Sequence, residues 1–174
     1  MAPSVIFDGE TLDACEALVA SCRVSGVTVG TAESCTGGLV ASSITAIPGS
    51  SEAIRGGVVS YAIPVKHEVL GVSNDILDAP GVGAVSSECA AAMADGARRV
   101  LGCDVAVSVT GIAGPGGEEP GKPVGTVWMG LATPASTKTF LNHFEGDRAE
   151  VRARAVRRAI ELLSQGVKES AERH

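Results

Sequence analysis

The stretch that decides the fold runs Val27-Thr28-Val29-Gly30-Thr31-Ala32-Glu33-Ser34-Cys35-Thr36-Gly37-Gly38-Leu39-Val40-Ala41. Val27 to Thr31 is a short β-branched run and reads as a buried strand. A tight polar turn follows from Glu33 to Gly38, and Leu39 to Ala46 resumes with helical character. A strand that passes through a turn directly into a helix is the opening of an α/β unit.

The flanks repeat the theme. Upstream, Leu12, Cys15, Val19 and Cys22 share one face at a 3.6-residue period, with Leu18 beside them, which predicts a helix over 10–25. Asp8 caps it and Gly26 ends it. Downstream, 56–61 reads as a strand. Pro64 suits a first helical position and opens a helix to Leu70. Residues 73–84 read as loop, and Ser86 or Ser87 caps a helix to Leu101. Val105, Val107 and Val109 mark a strand over 104–110. The Gly- and Pro-dense segment 111–123 reads as an irregular loop. Strands over 124–132 and 138–144 form a hairpin around Pro134. Asp147 opens the last helix, with Glu150 completing a capping box. Strands alternating with helices predict an α/β sandwich, and the final hairpin makes its sheet mixed. In such sheets ligands sit at the carboxyl ends of strands. Both polar Gly-rich segments follow strands, so one cleft can hold them both.

Composition narrows the class. A length of 174 residues predicts one domain. With 45% hydrophobic residues and only 3% aromatics, a core of Val, Ile, Leu and Ala is expected. The net charge of -6 argues against sequence-independent nucleic-acid binding, which needs a basic surface. It leaves room for a small anionic ligand held by a local Arg or Lys. Cys15, Cys22, Cys35, Cys89 and Cys103 are odd in number and contain no C-x-x-C, which predicts reduced thiols in a cytoplasmic protein. The start of the chain has no basic segment followed by an apolar run, and no apolar run nears the length of a membrane span, so neither export nor a membrane partner is expected.

Four segments could carry chemistry. Ser34 sits on the strand-to-helix turn, where a hydroxyl is held rigidly and the helix start offers free N–H groups to a phosphate or an oxyanion. Ser and Thr are also ordinary helix caps, and the residue types alone do not decide between the two. A serine nucleophile needs a base. His67 lies in a surface helix, His143 in a strand and His174 at the chain end, so no histidine is placed for the role. Lys66 falls in the first turn of the Pro64 helix, where the positive helix end and burial both disfavour its charge. Tyr61 is the only tyrosine. Its hydroxyl could relay a proton or donate to an oxyanion. Most lysines are simply solvated, however. Segment 109–117 with 122–126 brings glycines behind a strand, matching neither a Walker loop nor a dinucleotide fingerprint. Arg148 sits just inside a helix N-terminus, the wrong place for a cation unless a phosphate joins it there. Arg152, Arg154, Arg157 and Arg158 read as a solvated face, with Glu150 and Arg154 an i,i+4 pair.

Taken together, Ala32-Glu33-Ser34-Cys35-Thr36-Gly37-Gly38, Gly83-Ala84-Val85-Ser86, Gly111-Ile112-Ala113-Gly114-Pro115, Lys122-Pro123-Val124-Gly125-Thr126-Val127, and Gly146-Asp147-Arg148 with Val151-Arg152 resemble the CinA C-terminal domain family, including its stand-alone nicotinamide mononucleotide deamidases. The segments occur in the family's order and span nearly the whole chain. The resemblance implies a three-layer α/β/α sandwich with a mixed, mainly parallel sheet. It implies a metal-free, cofactor-free amidohydrolase that converts nicotinamide mononucleotide to nicotinic acid mononucleotide and ammonia. Ser34 is the implied nucleophile, with Tyr61 and Lys66 as its partners. Glu33, Cys35, Thr36, Gly37, Gly38, Thr110, Gly111 and Arg148 form the implied substrate pocket. A homo-oligomer, with a dimer favoured, is part of the same expectation. Longer members add a molybdopterin-binding-like domain, which has no counterpart in these residues. One departure stands out: between Tyr61 and Lys66 the family carries an Asn where this chain has Ile63. That departure leaves a non-catalytic nucleotide-binding or regulatory module as the alternative.

Overall fold

The computed structural model describes residues 7–173. Residues 1–6, part of the stretch read above for an export signal, and His174 lie outside the described residues. The elements follow one another as α1 (Gly9–Ser25), β1 (Val29–Glu33), α2 (Leu39–Thr45), a 3-10 turn (Ser50–Glu52), β2 (Ile54–Val59), α3 (Ile63–Glu68), α4 (Asn74–Leu77), α5 (Ser87–Leu101), β3 (Val105–Gly111), β4 (Thr126–Ala132), β5 (Thr137–His143) and α6 (Arg148–Ala171).

Local chemistry explains the helix ends. Asp8 accepts from Thr11 N at 2.7 Å, which satisfies one orphan amide of α1. Gly26 closes that helix in the left-handed region, at φ 72°. Ser86 accepts from Cys89 N at the start of α5. Asp147 and Glu150 form the expected capping box at the start of α6.

The sheet has the order β2-β1-β3-β4-β5. β1 pairs in parallel with β2 and with β3, and β4 is antiparallel to both β3 and β5. Four strands therefore point one way and β4 alone opposes them. The chain leaves β1 to build β2 on one side and later β3 on the other. The carboxyl end of β1 is thus a topological switch point, where open α/β sheets place their ligands. Ser34 is the residue that follows it.

Helices cover both faces. Val105, Val107, Val109, Val127, Met129 and Leu131 pack with α1, α2 and α6 in one core layer. Ala32 and Ala106 pack with Leu70, Val72, Leu77 and the α5 residues Cys89, Met93 and Ala97 in the other. The period-2 alternation of β3 assigns its residues to the two layers in turn. Small side chains toward α5 let that helix lie close: Ser108 Oγ on β3 donates to Ala90 O at 2.6 Å.

Several boundaries differ from the sequence reading. β1 runs to Glu33, because the parallel ladders on both sides extend pairing to Val59 and Val109. Within the expected loop 73–84, Ser73 caps the short α4 by accepting from Asp75 N at 3.1 Å. β2 starts two residues earlier than expected, at Ile54, and β4 starts two residues later, at Thr126. All five cysteines are free and buried. Among the described residues no helix is long and apolar enough to cross a membrane.

Candidate active site

Ser34 begins a turn that two buried ionisable side chains define. The first is Glu33, only 1% exposed at the end of β1. Its carboxylate accepts from the amides of Gly38 at 3.0 Å, Val40 at 3.0 Å and Ala41 at 2.9 Å, and from Thr31 Oγ1 at 3.1 Å. These are the orphan N–H groups at the start of α2, which has no side-chain cap of its own at Gly38. The turn reaches them through Gly37 and Gly38, at φ 60° and 97°, a region disfavoured for other residues. Glu33 was expected to touch substrate. Its oxygens face the α2 amides instead, and they take the helix-start donors that an oxyanion or phosphate would otherwise use.

The second buried ionisable side chain is Lys66. Helix α3 has one buried residue, and it is this lysine, 1% exposed. Lys66 Nζ lies 2.9 Å from Ser34 Oγ. It donates to Ser60 O at 2.6 Å and to Tyr61 O at 3.3 Å. Among the described residues no carboxylate takes part. Burial pushes the Lys66 amine below the usual lysine range, and the opposing influence of the Cys89 and Cys35 sulfurs does not outweigh it. A neutral amine has two N–H groups and one lone pair. Two carbonyls match the two donors, and the lone pair is left for the Ser34 hydroxyl.

The turn's backbone has few free donors. Gly37 N donates to Ser34 O and Leu39 N to Thr36 O. The amides of Cys35 and Thr36 have no partner among the described residues. Burial pushes the Cys35 thiol up to about 11, so it stays protonated beside the serine.

Arg152 holds this turn from the α6 side. Its Nε donates to Cys35 O at 3.1 Å and its Nη2 to Thr36 O at 3.2 Å. The expectation of a solvated arginine face is corrected at this position, because the turn's carbonyls come within reach one helical turn into α6. The expected Glu150–Arg154 pair is absent as well. Glu150 turns back to Asp147 N to close the capping box, and Arg154 donates to Glu145 O.

Arg148, one turn earlier on α6, faces a cleft of about 750 Å³ lined by Ala113, Pro115, Glu118, Val124 and Arg152 among others. Its Nη1 donates to Gly114 O at 2.9 Å and its Nη2 to Tyr61 Oη at 3.4 Å. Tyr61 is therefore divided between two places. Its carbonyl supports Lys66, while the residue as a whole is 61% exposed and its hydroxyl meets Arg148. The hydroxyl has no bond to Ser34 or Lys66. The other two expected pocket residues are structural in this arrangement. Thr110 is 1% exposed and donates to Ala84 O at 2.7 Å. Gly111 is needed because a Cβ there would meet Thr126 O and Val127 on β4, so its close approach is to the neighbouring strand. Ile63, the departure noted in the sequence, is half exposed at the start of α3 and leaves the Lys66 anchors intact. No group of three or more His, Cys, Asp or Glu side chains suited to a metal occurs among the described residues.

Comparison with known proteins matches the chain to one family. The CinA C-terminal domain profile covers residues 12–167. A CinA-like protein from Geobacter metallireducens is 47% identical over 156 residues, which cover 90% of this chain and 37% of that protein. A CinA-like protein from Geotalea uraniireducens is 51% identical over 146 residues, 83% of this chain and 34% of that protein. The chain thus spans about a third of the length of these curated relatives. Among solved structures, the competence/damage inducible protein CihA from Agrobacterium tumefaciens superimposes with a TM-score of 0.87 at 38% identity, covering 91% of this chain and 96% of that one. The competence damage-inducible protein A from Klebsiella pneumoniae gives 0.86 at 35% identity, covering 91% and 97%. The profile and the structural matches extend over nearly all of the sequence, and the chain belongs to the CinA C-terminal domain family.

Proposed function

We propose that this chain is a serine amidohydrolase acting on the carboxamide of nicotinamide mononucleotide. The observation that carries the reading is the buried Lys66 amine, 2.9 Å from Ser34 Oγ and held by two main-chain carbonyls with no acidic partner. A base of lowered pKa beside a hydroxyl is what activates a serine.

In this mechanism the Ser34 proton passes to the Lys66 lone pair as Oγ attacks the carboxamide carbon. The carbonyl oxygen becomes an oxyanion and accepts from the free amides of Cys35 and Thr36. The Lys66 ammonium then returns the proton to the amide nitrogen, the C–N bond breaks, and ammonia leaves. Water attacks the resulting ester, giving its proton to Lys66, and Ser34 Oγ departs with that proton to release the carboxylic acid. Arg148 holds the phosphate at the α6 N-terminus, where dipole and guanidinium act together. Tyr61, exposed beside Arg148, walls the nucleotide instead of moving protons. The cleft beside Arg148 is within the size range of small-molecule sites.

The test is ammonia release from nicotinamide mononucleotide, with the nucleoside and free nicotinamide beside it. The proposal expects turnover of the mononucleotide and much slower turnover of both forms that lack phosphate. If none of the three releases ammonia while the mononucleotide still raises the melting temperature, the chain is a binding module.

A further inference from the structure

We infer that Arg152 is a positioning residue that aims the oxyanion donors at the Ser34 site, an inference that rests on the serine-amidohydrolase reading. In a trans peptide the C=O and the next N–H point in opposite directions within one rigid plane. The N–H of Thr36 shares its plane with Cys35 O, which Arg152 Nε holds at 3.1 Å. The N–H of Cys35 shares its plane with Ser34 O, which Gly37 N holds at 3.0 Å. Both planes are pinned by their carbonyl ends, and neither amide end has a partner among the described residues.

Direction follows from the layers. Arg152 comes from α6, on one face of the sheet, and it packs against the turn beside Gly37. Lys66 comes from α3, which precedes Leu70 and Val72 of the opposite core layer. A carbonyl drawn toward Arg152 turns the Thr36 N–H toward the side from which Lys66 reaches Ser34. The second bond, from Nη2 to Thr36 O at 3.2 Å, makes the guanidinium a two-pronged brace across consecutive peptides. A planar fork suits that task and an ammonium does not. Glu33 strengthens the case by taking the Gly38, Val40 and Ala41 amides. With those removed, Cys35 and Thr36 are the donors the turn has left.

The experiment measures the rate at which a small fluorophosphonate labels Ser34 in the full chain, with kcat and KM for the amide followed in parallel. The reagent carries no nucleotide, so its rate reports the serine and its oxyanion donors without the phosphate contact. Arg152→Gln is expected to slow labelling about 100-fold, the scale of one lost oxyanion donor. The same variant is expected to lower kcat similarly with KM changed less than about threefold, the split that marks a transition-state interaction. Arg152→Lys, which keeps the charge and loses the fork, should fall between wild type and Arg152→Gln. Arg157→Gln, whose partners are Asp8 and Glu10, should label at the wild-type rate. Equal labelling of wild type and Arg152→Gln overturns the inference. So does a rise in KM at constant kcat, which would make Arg152 a substrate ligand. Ser34 that labels in wild type while no amide is hydrolysed defeats the proposed substrate alone, and the labelling ratio still decides the role of Arg152. A wild-type Ser34 inert to the reagent defeats both.

Discussion

Two ionisable side chains flank Ser34, equally buried at 1% exposure, and the structure uses them in opposite ways. Glu33 is surrounded by donors: three amides and a hydroxyl converge on its carboxylate, and it completes the start of α2. Lys66 has two carbonyls and the serine hydroxyl around it, none of them carrying a full charge, so burial drives it toward the neutral amine. Burial alone therefore does not mark a catalytic group. What separates the two is what surrounds them: N–H and O–H donors close on the Glu33 carboxylate, while no opposite charge lies beside the Lys66 amine among the described residues. On the proposed reading, Glu33 belongs to the fold and Lys66 to the chemistry.

The sharpest way to break that distinction is Lys66→Met, which keeps the volume and removes the base. Steady-state ammonia release should fall by about 10⁴-fold, the upper range for a general base. Thermal unfolding should show a fold no less stable than wild type, because an apolar chain suits the site better than an amine. A melting temperature well below wild type would assign Lys66 to the fold after all. Glu33→Ala is the reciprocal test. It leaves buried amides of α2 without acceptors and should cost about 3 kcal/mol of stability in denaturant titrations. A stable Glu33→Ala protein with altered substrate preference would return Glu33 to the pocket.

Arg148→Gln comes next in size. Loss of a charge-assisted contact to phosphate should raise KM for the mononucleotide by about 30-fold, equivalent to roughly 2 kcal/mol, with kcat little changed. The smallest effect is on the pH dependence of stability. The folded pKa of Lys66 lies below its unfolded value, so between the two the unfolded chain binds more protons. Folding stability should therefore rise with pH through that window, by at most about 1.4 kcal/mol per pH unit, and level off above the ordinary lysine value. Urea titrations of wild type and Lys66→Met across alkaline pH should differ by that slope.

The same contrast explains how much was legible in the sequence. The strand-turn-helix at 27–41 and the hairpin around Pro134 rest on local periodicity and turn chemistry, and they recur in the structure with shifts of a few residues. Ser34 and Lys66 could be nominated as a pair because Pro64 fixes a helix start near the lysine. Their contact lies 32 positions apart in sequence and depends on how α3 folds back over the end of β1. The family resemblance of the segment 32–38 implies a place for Glu33 in the substrate pocket. Strand alternation explains the outcome: adjacent residues leave a strand on opposite faces, so Glu33 points to α2 and Ser34 to α3. Arg152 was hidden for a related reason. Its spacing of four from Arg148 places both on one stripe of α6, and that signal was present. Which face met the nucleophile turn, 116 positions away, came only from the packing of α6 on the sheet.

The central claim is that Lys66 activates Ser34 as a covalent nucleophile. The most direct test is rapid-quench mass spectrometry of the full chain mixed with nicotinamide mononucleotide, run for wild type and Lys66→Met. The account predicts a transient acyl group on the Ser34 peptide in wild type, formed in step with the first ammonia released, and none in Lys66→Met. Ammonia released with no adduct at Ser34, and at an unchanged rate in Lys66→Met, would contradict it.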